Sequence, residues 1–345
     1  MFLIVFNLSE MLTIINFNYY KVIKSKTFIY RCSSLFAMFS RYYTREQIIE
    51  AIRRYICPIP YNGTLDDLLT ETGNQKLKPA FQEIVHRKPS HSQVGQSREG
   101  ILRVSSWNIE EGKNIEDVIN TIKSDEYLVN SDVLLLQELP RTINGKDIPE
   151  LLAERTGFGF IYSPWRITLA DNSQVGNMIL SRHQISEQSR IELSSGYDWY
   201  KASGKAKLGY RMALKGKITK NGNGIWIYCV HLEAYTRPDY RYRQMKEVLE
   251  DAVKHHGSPI VIGGDANFGP FEPFMLMRRN GFDDHIRRTW TSTMNDFWFE
   301  YLFGFQLDRI YSRGFRRENS KMPKAKVLKD IKYSDHRAIT VDLMI

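Results

Sequence analysis

Polar side chains of catalytic type recur at the ends of short apolar runs in the later two-thirds of this chain. The runs ILRVSSW, DVLLLQ and GIWIYCV lead to Asn108, Glu138 and His231, and the run PIVIGG is followed by Asp265 and Asn267. Because β-branched runs of this length predict strands, each of these side chains is expected where a strand ends. Carboxylate, amide and imidazole groups can together bind a divalent cation, move a proton and hold an anionic substrate.

The same pattern continues near the end of the chain. The run FQLDRIYS carries Asp308, while Asp335 and His336 precede the run AITVDLMI. Taken singly, each of these residues has an ordinary structural explanation, such as a turn residue or a surface ion pair. Their repeated position at strand ends favours a site, because layered sheets bring strand ends together at one edge. Gly263 and Gly264 also predict a close backbone approach or an unusual turn there.

Helical periodicity appears between some of the strands. It predicts helices over residues 114–123, 148–155 and 240–256, the last two stopped by Gly157 and Gly257. Strands in succession with helices inserted among them favour an α+β fold, in which helices cover a sheet core.

The first 100 residues differ from the rest and predict an N-terminal extension. Residues 44–85 are expected to be helical, and the polar stretch 86–100 to be a linker before a domain over 101–345. Residues 1–37 are apolar and acid-poor, which leaves open a mitochondrial presequence or a segment that is not native sequence. A membrane anchor is disfavoured because Glu10 would be costly inside a bilayer, so no stable membrane insertion is expected.

Composition and charge set only broad bounds on function. The 345 residues include 42% hydrophobic and 25% charged residues, both ordinary for a globular protein. Of the net charge of +9, residues 1–45 contribute +5 (six basic residues and one acid), so the rest carries +4. That balance suits a basic patch for phosphates without arguing strongly for nucleic acid. The three cysteines are widely spaced and predict no disulfide framework. Cys229 is expected to be a buried thiol, and a reducing, cytoplasmic location is expected.

Six short motifs in fixed order resemble the endonuclease/exonuclease/phosphatase superfamily over about residues 101–345. They are Ser106-Trp107-Asn108-Ile109, Gln137-Glu138, His231-Leu232-Glu233, Gly264-Asp265-Ala266-Asn267, Leu307-Asp308-Arg309-Ile310 and Ser334-Asp335-His336. The resemblance implies a four-layer αββα sandwich of the DNase I type, with one metal-centred site at one end of two packed sheets. The superfamily includes nucleases, tyrosyl-DNA phosphodiesterases, inositol polyphosphate 5-phosphatases and sphingomyelinases, so the fold alone leaves the substrate open.

The resemblance also implies a role for each residue. Glu138 resembles the main Mg²⁺ ligand, with Mn²⁺ as an alternative ion; Asn108 is its neighbour, and Asp335 binds directly or through water. A hard ion with oxygen ligands suits this chemistry, because phosphodiesters are anionic and resist attack.

The remaining residues resemble the part of the site that handles water and phosphate. Asp265 is the expected general base, and Asn267 helps to position the water and the phosphate. Asp308 resembles the carboxylate that orients His336 and favours its protonated form. His231 resembles a second histidine that contacts the phosphate.

The residues after His231 bear on the choice of substrate. The sequence His-Leu-Glu disfavours the abasic-site endonucleases and is more similar to tyrosyl-DNA phosphodiesterases, sphingomyelinases and bacterial members; Ala234 departs from the serine of the first of these. Arg237 and Arg241 alternate with tyrosines, a pattern that suits phosphate binding and base stacking but equally describes a charged helix face. The aromatic-rich stretch 290–305 is expected to be core or a substrate-touching loop.

These observations favour a monomeric Mg²⁺-dependent phosphodiester hydrolase that acts on nucleic acid or a nucleotide-like ester. A phospholipid or inositol-phosphate esterase on the same fold is one alternative, motivated by the apolar N-terminus and the aromatic stretch. A non-catalytic binding module is another, although no metal or acid–base position is visibly lost from the motifs.

Overall fold

The computed structural model describes residues 61–345 except for 93, 269–273, 290–292, 295–305 and 317–323. The expected targeting or non-native segment 1–37, the helix expected over 44–55 and most of the aromatic stretch 290–305 lie outside the described residues.

Strands are the most common regular element of the described chain, and helices lie between them. The helices are α1 (Leu65–Glu71), α2 (Lys78–Gln82), α3 (Ile115–Ser124), α4 (Ile148–Thr156), α5 (Trp199–Ala202), α6 (Pro238–Ala252) and α7 (Phe274–Arg279), with 3₁₀ turns at Gln75–Leu77, Glu110–Gly112 and Arg287–Thr289. The strands are β1 (Val85–Arg87), β2 (Ile101–Asn108), β3 (Val133–Pro140), β4 (Thr142–Ile143), β5 (Lys146–Asp147), β6 (Gly159–Thr168), β7 (Gln174–Ser181), β8 (Ile185–Glu192), β9 (Lys207–Gly209), β10 (Met212–Lys220), β11 (Asn223–His231), β12 (Ile260–Asp265), β13 (Asp283–Asp284), β14 (Asp308–Arg313), β15 (Ala325–Val327) and β16 (Ile339–Met344). Within the described part of the chain, no helix has the length and apolar character needed to cross a membrane.

Two sheets organise the fold. The first has the order β1-β6-β7-β3-β2-β16-β15, with β9 added beside β6, and the second has the order β13-β14-β12-β11-β10-β8. Each sheet contains one parallel pair, β2 with β3 and β11 with β12, and its other pairs are antiparallel. The two parallel pairs determine which strand ends lie at the same edge.

Apolar side chains from both sheets form the central core. Leu135 and Ile179 of the first sheet pack in one cluster with Ile227, Val261 and Ile310 of the second, and each of the five is fully buried. Alternate residues of the same strands face outward, as the period of two in a strand requires. They pack against helices α3 and α4 on one side and α6 on the other. The expected four-layer α+β sandwich is therefore confirmed.

The helices form largely where periodicity predicts them. Helix α3 buries Val118, Ile119 and Ile122 along one face. Helix α4 ends at Gly157, whose φ of 75° suits glycine at a C-terminal cap. Helix α6 begins two residues before the predicted start, at Pro238, since proline is pre-organised for the first turn. It also ends at Ala252, earlier than predicted, with a turn filling the interval before the next strand.

Gly264 explains the paired glycines of strand β12. Its φ is 140°, a backbone conformation that L residues rarely adopt, and a Cβ atom there would lie 1.9 Å from the carbonyl oxygen of Val230. Strands β11 and β12 therefore approach each other closely just before Asp265. The close backbone approach expected from the sequence is present.

The segment before residue 101 is packed against the sandwich. Helix α1 is capped by Thr64, whose side chain accepts from Asp67 N while the Asp67 carboxylate accepts in return. Phe81 of α2 is fully buried in a cluster that includes Ile167 and Leu208 of the first sheet. This segment therefore contributes to the folded body of the protein.

The expected linker over 86–100 needs correction at its start. His86 and Arg87 belong to β1, which pairs with β6 at the edge of the first sheet. The reason is that the β6 edge offers backbone groups that an added strand can pair. Further along, Arg182 donates to the carbonyl oxygens of Val94 and Gly95, which ties the polar stretch to the domain.

Candidate active site

Strand ends from both sheets meet at one edge of the sandwich. In the first sheet, the parallel strands β2 and β3 bring Asn108 and Glu138 to that edge. In the second sheet, His231 is the direct cross-strand partner of Asp265, and Asp265 is in turn the partner of Asp308. Asp308 comes first in its strand because β14 runs antiparallel to β12. The register of the second sheet alone therefore places three of these side chains in one row.

Hydrogen bonds join the two sheets at this edge. The Asn108 Nδ2 atom donates to Glu138 Oε1 at 3.2 Å and to Asp265 Oδ2 at 3.1 Å. The His231 Nε2 atom lies 3.5 Å from Asp265 Oδ2 and 3.7 Å from Glu138 Oε1. One amide and one imidazole thus link the carboxylates of opposite sheets, and the four side chains form a single cluster.

His336 and Asp308 form a buried ion pair beside this cluster. The His336 Nδ1 atom lies 2.8 Å from Asp308 Oδ2, and its Nε2 atom lies 3.7 Å from Asp265 Oδ2. The backbone carbonyl of His336 accepts from Trp107 Nε1 at 3.1 Å, which fixes the residue against strand β2. Burial alone would lower the pKa of His336, but the negative charges of Asp308 and Asp265 raise it well above its ordinary value. The imidazole is therefore held in its cationic form.

Two site residues adopt left-handed backbone conformations. Glu138 has a φ of 57° and Asn267 a φ of 50°. The pairing of β3 with β7 is interrupted at Glu138, and this bulge turns the carboxylate toward the cluster. Asn267 is held by its own backbone N–H, which donates to Asp265 Oδ1 at 3.0 Å, and by its side chain, which donates to Leu232 O at 3.1 Å. Such conformations occur frequently at functional sites.

Asp335 lies at the rim of the cluster and is linked to Asn108 through a loop. Its backbone N–H donates to Glu110 Oε2 at 3.2 Å, and the Glu110 N–H donates to Asn108 Oδ1 at 3.1 Å. The Ser334 hydroxyl donates to the Asn108 carbonyl at 2.6 Å. Burial raises the pKa of Glu138, and the negative charge of Asp335 adds to this. The carboxylates on this side are thus close enough to repel one another.

The two arginines predicted to bind substrate are placed differently. Arg241 is buried and donates to the carbonyl of Thr236 at 2.8 Å, which holds the start of helix α6. Arg237 pairs with Asp239 through Nε at 2.9 Å at the N-terminus of the same helix. The run of arginines and tyrosines therefore forms part of helix α6. Its buried arginine, Arg241, contacts the protein backbone and does not face solvent.

A buried aromatic and ionic group next to His231 is not anticipated by the sequence motifs. The ring of Trp165 packs edge-on against His231, with centroids 5.4 Å apart. The Arg211 guanidinium lies 3.7 Å from the centroid of Trp165 and its Nε lies 3.2 Å from Glu233 Oε2. Glu233, fully buried, also accepts from Trp199 Nε1 at 3.0 Å. Trp165 lies within strand β6 and Glu233 just after the end of β11, and neither position gives a sequence signal for this group.

A second unanticipated ion pair joins the loop after Asn108 to strand β6. Arg166 Nη2 lies 2.6 Å from Glu111 Oε2, and the Arg166 guanidinium is 5.2 Å from the ring centroid of Trp165. Glu111 and its neighbour Glu110 have φ values of 53° and 50°, so this loop has two consecutive left-handed residues. The charge of Glu111 also raises the pKa of Glu138, which places this pair beside the cluster.

Oxygen donors for a metal ion are available on both sides of the cluster. Ligand atoms of Asp265, Asp308 and His336 lie within 4.8 Å of one another. In that set, however, Asp308 and His336 form an ion pair with each other, with Nδ1 and Oδ2 2.8 Å apart. Glu138 is the carboxylate of the cluster with the most open side chain, at 25% exposure, and it has an amide neighbour in Asn108.

The family profile for the Endonuclease/Exonuclease/phosphatase family matches residues 105–336, from the middle of β2 to His336. The chain belongs to this family. Members of the Endonuclease/Exonuclease/phosphatase family are hydrolases that act on phosphoesters and generally depend on a divalent metal. The resemblance inferred from the six motifs is therefore confirmed.

Solved structures of family members share the fold. An endonuclease/exonuclease/phosphatase from Beutenbergia cavernae is similar with a TM-score of 0.55 and 18% identity, covering 72% of this chain and 72% of that one. The Bacteroides thetaiotaomicron mannosyl-6-phosphatase Bt3783 is similar with a TM-score of 0.52 and 15% identity, covering 71% of this chain and all of that one.

A curated relative matches over a shorter stretch. The UPF0294 protein VP2298 of Vibrio parahaemolyticus is 26% identical over 125 residues, which is 36% of this chain and 42% of that protein. The match therefore spans less than half of the relative's own length.

Proposed function

We propose that this chain is a Mg²⁺-dependent phosphodiester hydrolase that acts on nucleic acid or a nucleotide-like ester. The observation that carries the proposal is the meeting of two different groups around Asp265. One is the Asn108 and Glu138 pair at 3.2 Å, and the other is the Asp308 and His336 ion pair at 2.8 Å. The first group suits a hard cation, and the second suits a phosphate anion and proton transfer.

Glu138, Asn108 and Asp335 are the residues that would hold the ion. Carboxylate and amide oxygens are the donors that Mg²⁺ and Mn²⁺ take. Burial raises the pKa of Glu138, and the negative charges of Glu111 and Asp335 add to this, so a bound cation would stabilise its charged form. When bound, the ion supplies positive charge that offsets the charge on the phosphate and on the leaving oxygen.

Asp265 is the proposed general base. It is 2% exposed and lies between His231, His336 and Asn108, so its carboxylate faces the centre of the cluster. Its Oδ1 atom accepts from the backbone N–H of Asn267 at 3.0 Å, which orients the carboxylate. A base fixed in this way can take the proton of a water molecule held beside it. The Asn267 backbone then restricts which oxygen of the carboxylate does so.

His336 is the residue proposed to bind a phosphate oxygen as a cation. Asp308 fixes the ring through Nδ1, so Nε2 is the nitrogen that faces Asp265 and the cluster centre. A charge-assisted hydrogen bond from this atom would stabilise the additional negative charge of the transition state. His231 lies on the opposite side of Asp265 and supplies a second imidazole toward the same phosphate.

A panel of phosphoesters tests the proposal and separates the classes of substrate. The panel contains bis(p-nitrophenyl) phosphate, a single-stranded and a double-stranded oligonucleotide, a sugar phosphate, an inositol polyphosphate and sphingomyelin vesicles, each with Mg²⁺ and with EDTA. We expect Mg²⁺-dependent turnover of the phosphodiesters and the oligonucleotides. Turnover of lipid or inositol phosphate alone would favour the alternative ester class. Absence of turnover across the panel would favour a binding module instead.

A further inference from the structure

Three buried nitrogen donors beside His231 have no acceptor among the described residues. They are Trp165 Nε1, Arg166 Nε and Arg211 Nη1. The residues that carry them are 1%, 5% and 2% exposed. More than nine-tenths of buried polar groups in proteins have a hydrogen-bond partner, so three orphan donors in one place need an explanation.

These donors belong to one cluster that adjoins the candidate active site. The guanidinium of Arg211 is 3.7 Å and that of Arg166 is 5.2 Å from the ring centroid of Trp165. The same two guanidinium groups lie 5.5 Å and 5.7 Å from the centroid of Trp199. Because Trp165 also packs edge-on against His231, the donors lie directly behind the side of the site that faces a phosphate.

The chemistry of the cluster favours an anion. Glu233 accepts from Arg211 through Nε and Nη2, and Glu111 accepts from Arg166 through Nη2. The nitrogens left over are all donors, two of them on cations, so an oxygen-rich anionic group would satisfy them and a cation or a neutral donor would not. Guanidinium groups bind phosphate with the geometry and charge that this requires.

We infer that Trp165, Arg166 and Arg211 form a second anion subsite, which binds a further phosphate group of the substrate next to the phosphate that is cleaved. The inference rests on the proposed function of the neighbouring site and narrows its substrate class. It assigns to this protein phosphoesters that carry at least two phosphates, such as an oligonucleotide or a polyphosphorylated ring.

Glu111 acts as the cover of this subsite. Its side chain is 43% exposed while that of Arg166 is 6% exposed, so the carboxylate lies on the solvent side of the guanidinium. Its backbone is left-handed at φ 53°, a conformation that costs energy for a residue other than glycine. An incoming phosphate can replace the Glu111 carboxylate on Arg166, since both are anions that accept the same donors.

The direct test is binding of matched ligands that differ by one phosphate. Titration calorimetry on the full chain with Mg²⁺ compares adenosine 3′,5′-bisphosphate with adenosine 5′-monophosphate, and inositol 1,4-bisphosphate with inositol 1-phosphate. We expect the bisphosphate of at least one pair to bind about tenfold more tightly, the effect of roughly one charge-assisted hydrogen bond. The pair that shows the preference identifies whether the second phosphate belongs to a nucleotide or to a polyphosphorylated ring.

Variants connect the preference to the named residues. Arg166→Gln should reduce the bisphosphate preference to near onefold. Arg155→Gln, which breaks another arginine–glutamate pair, between Arg155 of helix α4 and Glu116 of helix α3, should leave it unchanged. Glu111→Gln should strengthen the preference, because it removes the competing anion and does not depend on the Arg166 variant folding.

The outcomes separate this inference from the proposed function. Equal affinities within both ligand pairs would overturn it, as would a preference that Arg166→Gln leaves intact or that Glu111→Gln weakens. Hydrolysis of the phosphoester panel without any bisphosphate preference would leave the proposed function standing and reject the subsite alone. A bisphosphate preference that depends on Arg166, found in a protein without hydrolytic activity, would support the subsite and reject the proposed hydrolase function.

Discussion

At the scale of single residues, the ion pair of Asp308 and His336 is the most defined part of the site. Both side chains are buried, and their 2.8 Å contact fixes which imidazole nitrogen faces Asp265. A neutral amide in place of Asp308 would keep the shape of the pair but would remove the charge that keeps His336 cationic. The proposed role of His336 therefore depends on Asp308.

The variant Asp308→Asn tests this dependence. We expect kcat for an activated phosphodiester to fall by about 10²- to 10⁴-fold, the usual contribution of a positioned acid–base group. Steady-state kinetics with Mg²⁺ measures the effect. Asp251→Asn serves as the matched control, because Asp251 pairs with Lys215 at 2.6 Å between helix α6 and strand β10. A kcat for Asp308→Asn within a few-fold of that control would rule out the assigned role.

At the scale of elements, the close contact of strands β11 and β12 holds two site residues in register. His231 and Asp265 are paired at the end of these strands, one residue beyond Gly264. The glycine permits this pairing through its φ of 140° and its lack of a Cβ atom. Glycine is thus required at position 264 by the packing of the two backbones and not by a part in the reaction.

The variant Gly264→Ala should therefore destabilise the fold. Overpacking of this kind usually costs about 1–3 kcal/mol, and the unfavourable φ adds to it. Urea unfolding followed by circular dichroism gives the change in the free energy of unfolding. Gly145→Ala is the control, because its φ is also positive, at 76°, but a Cβ atom there would contact nothing within 4 Å. Equal losses in the two variants would show that the contact with Val230 contributes little.

At the scale of the whole molecule, a buried ion pair locks the two sheets at the end remote from the candidate site. Lys220 at the end of β10 lies 2.7 Å from Asp132, which precedes β3, and their side chains are 3% and 1% exposed. Asp132 also accepts from Arg103 N at 2.8 Å and from Ser97 Oγ at 2.5 Å. Burial would raise the pKa of Asp132, but its hydrogen bonds with His183, Lys220 and Ser97 outweigh this and lower it.

This lowered pKa predicts a specific pH dependence of stability. Because the pKa of Asp132 is lower in the folded than in the unfolded protein, the unfolded state binds more protons between the two values. The stabilisation is thus complete above the unfolded value and is lost as the pH falls through the folded value. Asp132→Asn should cost about 3–5 kcal/mol at pH 7, since it leaves Lys220 buried without its charge partner.

Urea unfolding of both proteins across the acidic range measures this dependence. The difference in the free energy of unfolding between wild type and Asp132→Asn should be largest at neutral pH. It should shrink as the pH falls below the ordinary range of an aspartate. A difference that stays constant from neutral to acidic pH would show that the Asp132 carboxylate is not specially stabilised in the folded protein.

Much of the fold and most of the cluster can be predicted from the sequence, because strand ends carry local signals. The runs before Asn108, His231 and Asp265 are recognisable from their β-branched residues, and a layered sheet must gather their ends. The close backbone approach at Gly264 could also be predicted, because paired glycines before a polar residue are unusual in a strand.

Other features depend on contacts between distant segments and leave no local signal. The orphan donors of Trp165, Arg166 and Arg211 become a group only when Trp165 of β6 packs against His231 and Arg211, which precedes β10, packs over Trp165. The burial of Arg241 likewise depends on how helix α6 packs against the preceding loop. Strand β1 could not be foreseen in a polar stretch, because its pairing is determined by the open edge of β6.

We propose that Glu138 and its neighbours make this protein a metal-dependent phosphoesterase. The most direct measurement is turnover of bis(p-nitrophenyl) phosphate by chelator-treated protein as Mg²⁺ is added back, for wild type, Glu138→Gln and the surface control Arg155→Gln. We predict saturable recovery of activity in wild type and in the control, and a loss of at least about 10²-fold in Glu138→Gln at every Mg²⁺ concentration. Activity that is equal with and without Mg²⁺, or that Glu138→Gln retains in full, would contradict the claim.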